Sequence, residues 1–261
     1  MTTVPTLRKL IRFARHVEDV ALNAHKATPQ GAVAYGILVA QRRLAVAVLT
    51  LGQDSAYESR ILLRTMIEHY FNLSWLLLRA PVRRCHRFLA FLSLDRLRIL
   101  QEMPPEDRRP DHAKSVKRLR AARARHRHLF RHRDPKTGKL TWDKNWAQGL
   151  SFEARVRQVQ TTRPRPRAPQ ITNFAYPLYR WFSAPVHGSA LHLHELLAPS
   201  RRGARPRTQP DPNPAIPVEA ASILLLGCLH HVSRVLKYST SMTIRFASLH
   251  AAVVKGVHSA T

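Results

Sequence analysis

The chain has 261 residues, 44% of them apolar, enough for a sizeable core in one large domain or two small ones. That apolar content excludes a disordered chain, and two cysteines exclude a disulfide scaffold. Lys plus Arg number 43 against 16 acids, a formal net charge of +27, which points to a polyanionic partner: RNA, DNA or an acidic membrane surface. Of the basic residues 34 are Arg. GC-rich coding accounts for Arg over Lys but not for the shortage of acids, so coding bias and a real polyanion partner both stand as readings.

Helical periodicity dominates, and no convincing strand pair is legible. A first helix is predicted over about 6–27, with Leu7, Leu10, Phe13, Val17, Val20 and Ala24 facing inward. It lacks the apolar stretch of a signal peptide. Pro29–Gly31 breaks it, and a second helix rich in Ala and Val covers about 32–51. Gly52 ends that helix, and Asp54 or Ser55 can cap the third.

The third helix, Tyr57–Leu78, is the one around which the chain is organised. Ile61, Leu62, Leu63, Met66, Ile67, Tyr70, Phe71, Leu73, Trp75, Leu76 and Leu77 leave a narrow polar face. That face carries Arg60, Arg64, Glu68 and Asn72, each four residues from the last, so they stack in one line. A helix apolar on nearly every other side belongs in a core. Its charged line then needs partners, because an unpaired buried charge costs several kcal/mol.

Pro81 closes that helix, and a fourth follows over about 82–101, with Phe88, Phe91, Leu92, Ile99 and Leu100 as core residues. Arg108–Arg133 differs in kind: eleven Lys or Arg, four His and one acid, Asp111. Its apolar stripe is Val116, Leu119, Leu129 and Phe130 alone, so it faces solvent or phosphates. Arg118, Arg120, Arg125 and Arg127 are its candidate nucleic-acid-binding residues. Trp142 and Trp146 supply aromatic anchors, and a short helix covers about 152–160.

A Pro/Arg linker occupies 163–170, and helical character returns over 171–197 with kinks at Pro177 and Pro185. Pro199–Pro217 holds six prolines and four arginines and reads as an extended surface loop. A last long helix covers about 218–238, and 242–257 continues or follows it. The predicted fold is therefore all-α, an antiparallel multi-helix bundle with Pro-rich surface loops. One domain is expected: a core over 1–198 containing the basic segment 108–133, the loop 199–217, and a C-terminal segment 218–261 packing on the same core.

No apolar run reaches bilayer-spanning length, because Gln41–Arg43 interrupts the second helix and Ile223–Leu229 is too short. Cys85 and Cys228 sit among apolar neighbours in helical patterns, which suits a reducing cytoplasm.

Tyr179, Ser183 and His187 repeat the four-residue spacing, with Arg180 alongside. In one continuous helix they share a face. If Pro185 instead opens a new helix capped by Ser183, His187 lies in its first turn, where free N–H groups attract anions. Either geometry joins a hydroxyl to an imidazole. His192-x-His194-Glu195, His230-His231 and His126-x-His128 lack the spacing that brings two helical ligands to one metal, so no metal and no cofactor is expected.

Arg64-x3-Glu68 in an apolar helix, followed far downstream by Tyr179-x3-Ser183-x3-His187, resembles an uncharacterised bacterial all-helical family, a domain of unknown function. The resemblance covers roughly 32–197 and implies no established activity. The chain also resembles the HEPN superfamily, helical bundles of which many are RNases of toxin–antitoxin and antiviral systems. Their motif, Arg followed after four to six residues by His, is met by Arg180 to His187 and by Arg64 to His69.

Whether the chain is an enzyme stays open at this point. In the first reading it binds RNA and cleaves it without metal. Arg180 or Arg64 then holds the phosphate, His187 moves a proton, and Ser183 and Tyr179 orient it. In the second it is an interaction module, with Arg64, Glu68, Ser183 and His187 as a buried register-setting network. RNA or DNA is the expected partner, and a homodimer is a further option. Peripheral membrane binding is a third reading, weakened by the thin apolar stripe of 108–133.

Overall fold

Apolar stripes with a 3.6-residue period cannot be left in water, and here they meet as helices. The computed structural model describes residues 4–21, 28–51, 56–134, 136–143, 145–162, 177, 179 and 215–258. Of these, 82% are helical. In chain order they form α1 (Val4–Ala21), α2 (Pro29–Leu51), α3 (Ala56–Leu76), α4 (Pro81–Glu102), α5 (His112–Arg125), α6 (Arg127–Phe130), α7 (Phe152–Thr162), α8 (Ala215–Leu236) and α9 (Thr240–His258). One 3-10 turn, Pro105–Asp107, follows α4.

The expected all-α fold holds, with one addition. β1 (Arg131–Arg133) and β2 (Leu140–Trp142) form a small antiparallel ladder pairing Arg131 with Trp142 and Arg133 with Leu140. Strands this short carry too few residues for their alternation to be read against noise. The basic segment is thus α5, α6 and a strand rather than one unit.

Pro29–Gly31 does not interrupt a helix; it starts one. Pro29 supplies a fixed φ at the first helical position, and Thr28 caps, its Oγ1 accepting from Gly31 N at 3.0 Å. α8 begins in the same region of the Pro-rich stretch, at Ala215.

The centre is the mutual packing of α2, α3 and α8. Leu63, Met66, Ile67, Phe71 and Leu73 of α3 meet Val33, Leu38 and Val48 of α2 and Leu225, Leu229 and Val232 of α8, all fully or almost fully buried. α1 lies on α2 and α8, α7 on α3, α9 on α1 and α8, and α4 on α2. α5 touches mainly α4 and buries no residue. On α1 the inward face continues through Glu18 and Ala21, while Val20, expected inside, is exposed. Glu18 is tolerated there because Arg42 Nε reaches its carboxylate at 2.6 Å. On α4, Leu92 and Ile99 are likewise exposed rather than in the core, which takes Cys85, Ala90, Phe91 and Leu97.

α2 and residues 216–236 of α8 are long and apolar enough to cross a membrane by length and composition, contrary to the expectation from Gln41–Arg43. Those polar residues are accommodated within the bundle. Gln41 Nε2 donates to the Met66 carbonyl at 2.7 Å, and Arg42 pairs with Glu18. His231, in the His230-His231 pair, is a core residue whose Nε2 lies 2.8 Å from Ser74 Oγ. Cys85 and Cys228 are buried free thiols; burial pushes Cys85 up to about 12 and Cys228 higher still.

Arg87 fastens the hairpin to the bundle. It lies on the α4 row that also carries Phe91 and Leu94, and it is only 5% exposed. Its Nε donates to Trp146 O at 2.6 Å and its Nη2 to Asn145 O at 3.3 Å. Its remaining bonds go to Leu129 O and the Asp143 carboxylate, and its plane lies 4.6 Å from the Phe130 ring centre. It therefore ties the chain before β1 to the chain after β2. Arg87→Met leaves the Asp143 carboxylate with only the His132 imidazole, 3.2 Å away, and takes the guanidinium from three carbonyls. It should lower the unfolding free energy by about 3–5 kcal/mol, with the greatest loss of hydrogen-exchange protection over 129–146. Uniform loss of protection across the bundle would show instead that Arg87 does not act on the hairpin.

Candidate functional site

The polar line of α3 is where burial and charge conflict most. Arg64, Glu68 and Asn72 stand at the edge of the α3 core face, not inside it. The Arg64 and Glu68 side chains are 22% and 35% exposed. Arg60, one turn earlier, is buried. α3 is consequently not buried all round: Ile61, on the same flank as the line, is exposed.

Tyr179, more than a hundred residues downstream, completes the line. Arg64 Nη2 donates to the Tyr179 hydroxyl oxygen at 3.2 Å, and that hydroxyl donates to Glu68 Oε1 at 2.9 Å. Arg64 Nη2 is also 3.3 Å from Glu68 Oε1, the i,i+4 pair of one helix. The guanidinium carbon lies 5.3 Å from the Tyr179 ring centre. The phenol thus accepts from a cation and donates to a carboxylate, a continuous chain from positive to negative.

The surroundings add a second cation and an imidazole. Phe152 of α7 packs on Tyr179 with ring centres 4.5 Å apart, and Arg155 lies 5.6 Å over Phe152 and 4.9 Å over Trp146. Arg155 Nη1 donates to Leu150 O at 2.9 Å. Burial lowers the pKa of Arg155, with Glu68 and Tyr179 opposing. Burial raises Tyr179; its bond from Arg64 opposes that, and its bond to Glu68 adds to it. Burial lowers His69, with Glu68 opposing. Arg64 Nε, His69 Nδ1, Asn72 Oδ1 and Arg155 Nε are buried and have no hydrogen-bond partner among the described residues. These four atoms are closed off from water, and what the cluster turns to solvent is the partly exposed edge of Arg64 and Glu68.

Of the residues singled out in sequence, Arg64, Glu68 and Tyr179 are brought together. Arg180, Ser183 and His187 lie outside the described residues. Arg155 and His69 were not assigned to this cluster beforehand. Arg155 had no signal, since it is one Arg among many; His69 was visible only as the end of an Arg-x4-His spacing. Arg118, Arg120, Arg125 and Arg127 are all exposed. They do not form one line: Arg118 and Arg125, seven apart, share a flank of α5, and Arg120 lies across the helix. Arg123 instead covers Trp142, 4.4 Å from its ring centre. Among the described residues no three His, Cys, Asp or Glu side chains converge on a metal position.

An all-α bundle with a half-open Arg–Tyr–Glu chain on its central helix is the class of protein these features define. The chain belongs to a family of unknown function (DUF5677), whose model matches residues 31–204. That span contains all but the first two residues of α2, the whole of α3 to α7, and Arg64, Glu68 and Tyr179. No curated protein and no solved structure matches the chain.

Partial exposure changes the expected cost of breaking the chain. Glu68→Ala should destabilise by about 1–2 kcal/mol, one charge-assisted hydrogen bond plus a half-screened ion pair, rather than the 3–5 of a sealed pair. Chemical denaturation beside Tyr179→Phe checks this. His69 supplies a pH signature. The unfolded imidazole takes up a proton near 6.5, which the folded one accepts only at lower pH. Its contribution to stability is therefore complete above about 6.5 and declines as the pH falls from there. His69→Gln should flatten the acid limb of the stability curve between about pH 7 and 5. A limb of unchanged slope would assign it to other groups.

Proposed function

We propose that the protein binds nucleic acid, RNA foremost, in the cytoplasm, gripping phosphates rather than reading bases. One observation carries the reading. α5 packs on α4 yet buries no residue, and Arg118, Arg120 and Arg125 of α5 with Arg127 of α6 are exposed and have no carboxylate partner among the described residues. Exposed, unpaired guanidiniums match phosphate bidentately and release counterions on contact. The helix offers mainly charge, which grips the backbone and carries no sequence information by itself. Replacing the four arginines together by Gln should reduce the slope of log affinity against log salt by about 3 for single-stranded RNA. An unchanged slope removes α5 and the start of α6 from the interface.

A second reading, a metal-independent ribonuclease resembling HEPN proteins, is favoured by the half-open setting of Arg64, Tyr179 and Glu68. In it Arg64, through the part of its guanidinium that stays exposed, or Arg180 holds the scissile phosphate, His187 moves a proton, and Ser183 and Tyr179 orient it. The competing reading makes the same chain a structural network that sets helix register. His187→Ala separates them. On the ribonuclease reading, cleavage of mixed single-stranded and structured RNA survives EDTA and falls about 10²–10⁴-fold in the variant, with affinity and melting temperature unchanged. On the structural reading the variant loses stability and the wild-type protein cuts nothing.

A further inference from the structure

The outer face of α4 contradicts its own composition. Leu92 and Ile99, seven residues apart on one side of the helix, are 53% and 60% exposed. Leu89 and Val82 extend the same side toward the helix start, also exposed. Where α5 lies against this helix, Ile99 at the end of that face lines a groove of about 220 Å³, and Leu92 lies two turns before it. Ile99, Leu100 and Leu119 are its apolar lining and Arg96 of α4, Arg118 of α5 and Ser115 its polar lining. Asp95 pairs with Arg98 at 3.8 Å, and Ser115 Oγ donates to Asp111 Oδ2 at 3.4 Å. Arg96 and Arg118 have no carboxylate partner among the described residues.

We propose that this groove is the docking site of an acidic amphipathic helix from a partner protein. Charge complementarity selects the occupant. Two guanidiniums flanking an aliphatic floor ask for carboxylates flanking aliphatic side chains, and a helix with apolar residues at i, i+3, i+4 and i+7 provides that spacing. The volume lies below the roughly 300–1,000 Å³ of small-molecule pockets and suits one or two aliphatic anchors. The floor holds no aromatic ring on which a nucleic-acid base could stack. A second copy of a +27 chain brings like charge to the same edge. The groove is concave, whereas a bilayer needs a protruding apolar face. Arg118 also belongs to the cationic surface of α5, so an occupied groove competes with nucleic acid. That corollary rests on the nucleic-acid reading; the docking itself does not.

The test uses the full chain without RNA. The probe is a labelled peptide of three heptads, Leu at the core positions and Glu beside them, against a peptide of identical composition in scrambled order. The patterned peptide should bind at least about tenfold more tightly, since one buried aliphatic anchor contributes about that factor. Leu92→Ser with Ile99→Ser should abolish the difference while leaving the thermal melt unchanged, because both side chains are already in water. Arg96→Gln with Arg118→Gln should weaken the patterned peptide and flatten its salt dependence. Equal binding of the two peptides, or indifference to the Leu92/Ile99 pair, overturns the proposal. So does sedimentation showing a dimer that dissolves in that variant, which gives the face to a second copy. Anionic vesicles of phosphatidylserine and phosphatidylcholine that bind wild type but not the variant, with no patterned-peptide preference, give it to a membrane. RNA affinity is measured separately, so its failure leaves the docking result intact.

Discussion

Three helices that cannot be exposed set the terms for everything else. α2, α3 and α8 are each apolar over most of their circumference, and only packing on one another removes that surface from water. Burying a Leu, Met, Ile or Phe side chain contributes about 1.5–3 kcal/mol, and α3 alone supplies Leu63, Met66, Ile67, Phe71 and Leu73 to the shared core. The remaining helices are arranged on this trio rather than beside it. α1, α4, α7 and α9 each cover one flank, and α5 stands off on α4.

Polar groups inside such a core survive only where a partner meets them, and each such pair also fixes a register. Gln41 to the Met66 carbonyl aligns α2 with α3, Glu18 with Arg42 aligns α1 with α2, and Ser74 with His231 aligns α3 with α8. The Arg64–Tyr179–Glu68 chain belongs to a different regime. It sits where the core ends, with the Arg64 and Glu68 side chains partly exposed. A network that only held helices together would sit with Ser74 and His231 in the dry interior, where each bond is stronger. A half-open position suits groups that meet something from solution.

Charge is segregated as well. The most basic helix, α5, is the one that contributes nothing to the core, and its neighbour α4 carries exposed Leu92 and Ile99 beside it. Cationic surface and apolar surface therefore lie together on α5 and α4. Both cost solubility, through self-repulsion in one case and exposed apolar area in the other, and both offer surface to partners.

Local periodicity determined most of the architecture. Each long helix shows an apolar stripe, and Pro, Gly and Thr mark the ends, so the all-α fold and the central place of Tyr57–Leu78 were legible in the residues alone. The polar line was legible too, because four residues at four-residue spacing must share a face. Which side of α3 that face turns to was not legible: Ile61 and Phe71 look alike in sequence, and only the placement of α2, α7 and α8 leaves one in water and the other dry. The same holds for α4, where Leu92 and Ile99 matched the pattern of a core and Arg87 did not, yet Arg87 is the buried one. Its burial depends on four acceptors contributed from positions 129 to 146, a convergence that no local spacing encodes. Tyr179 reached Glu68 by the same route. Periodicity is a property of one helix and can be read from its own residues. A partner across the bundle is a property of how helices stack, and that is decided only when the whole core closes.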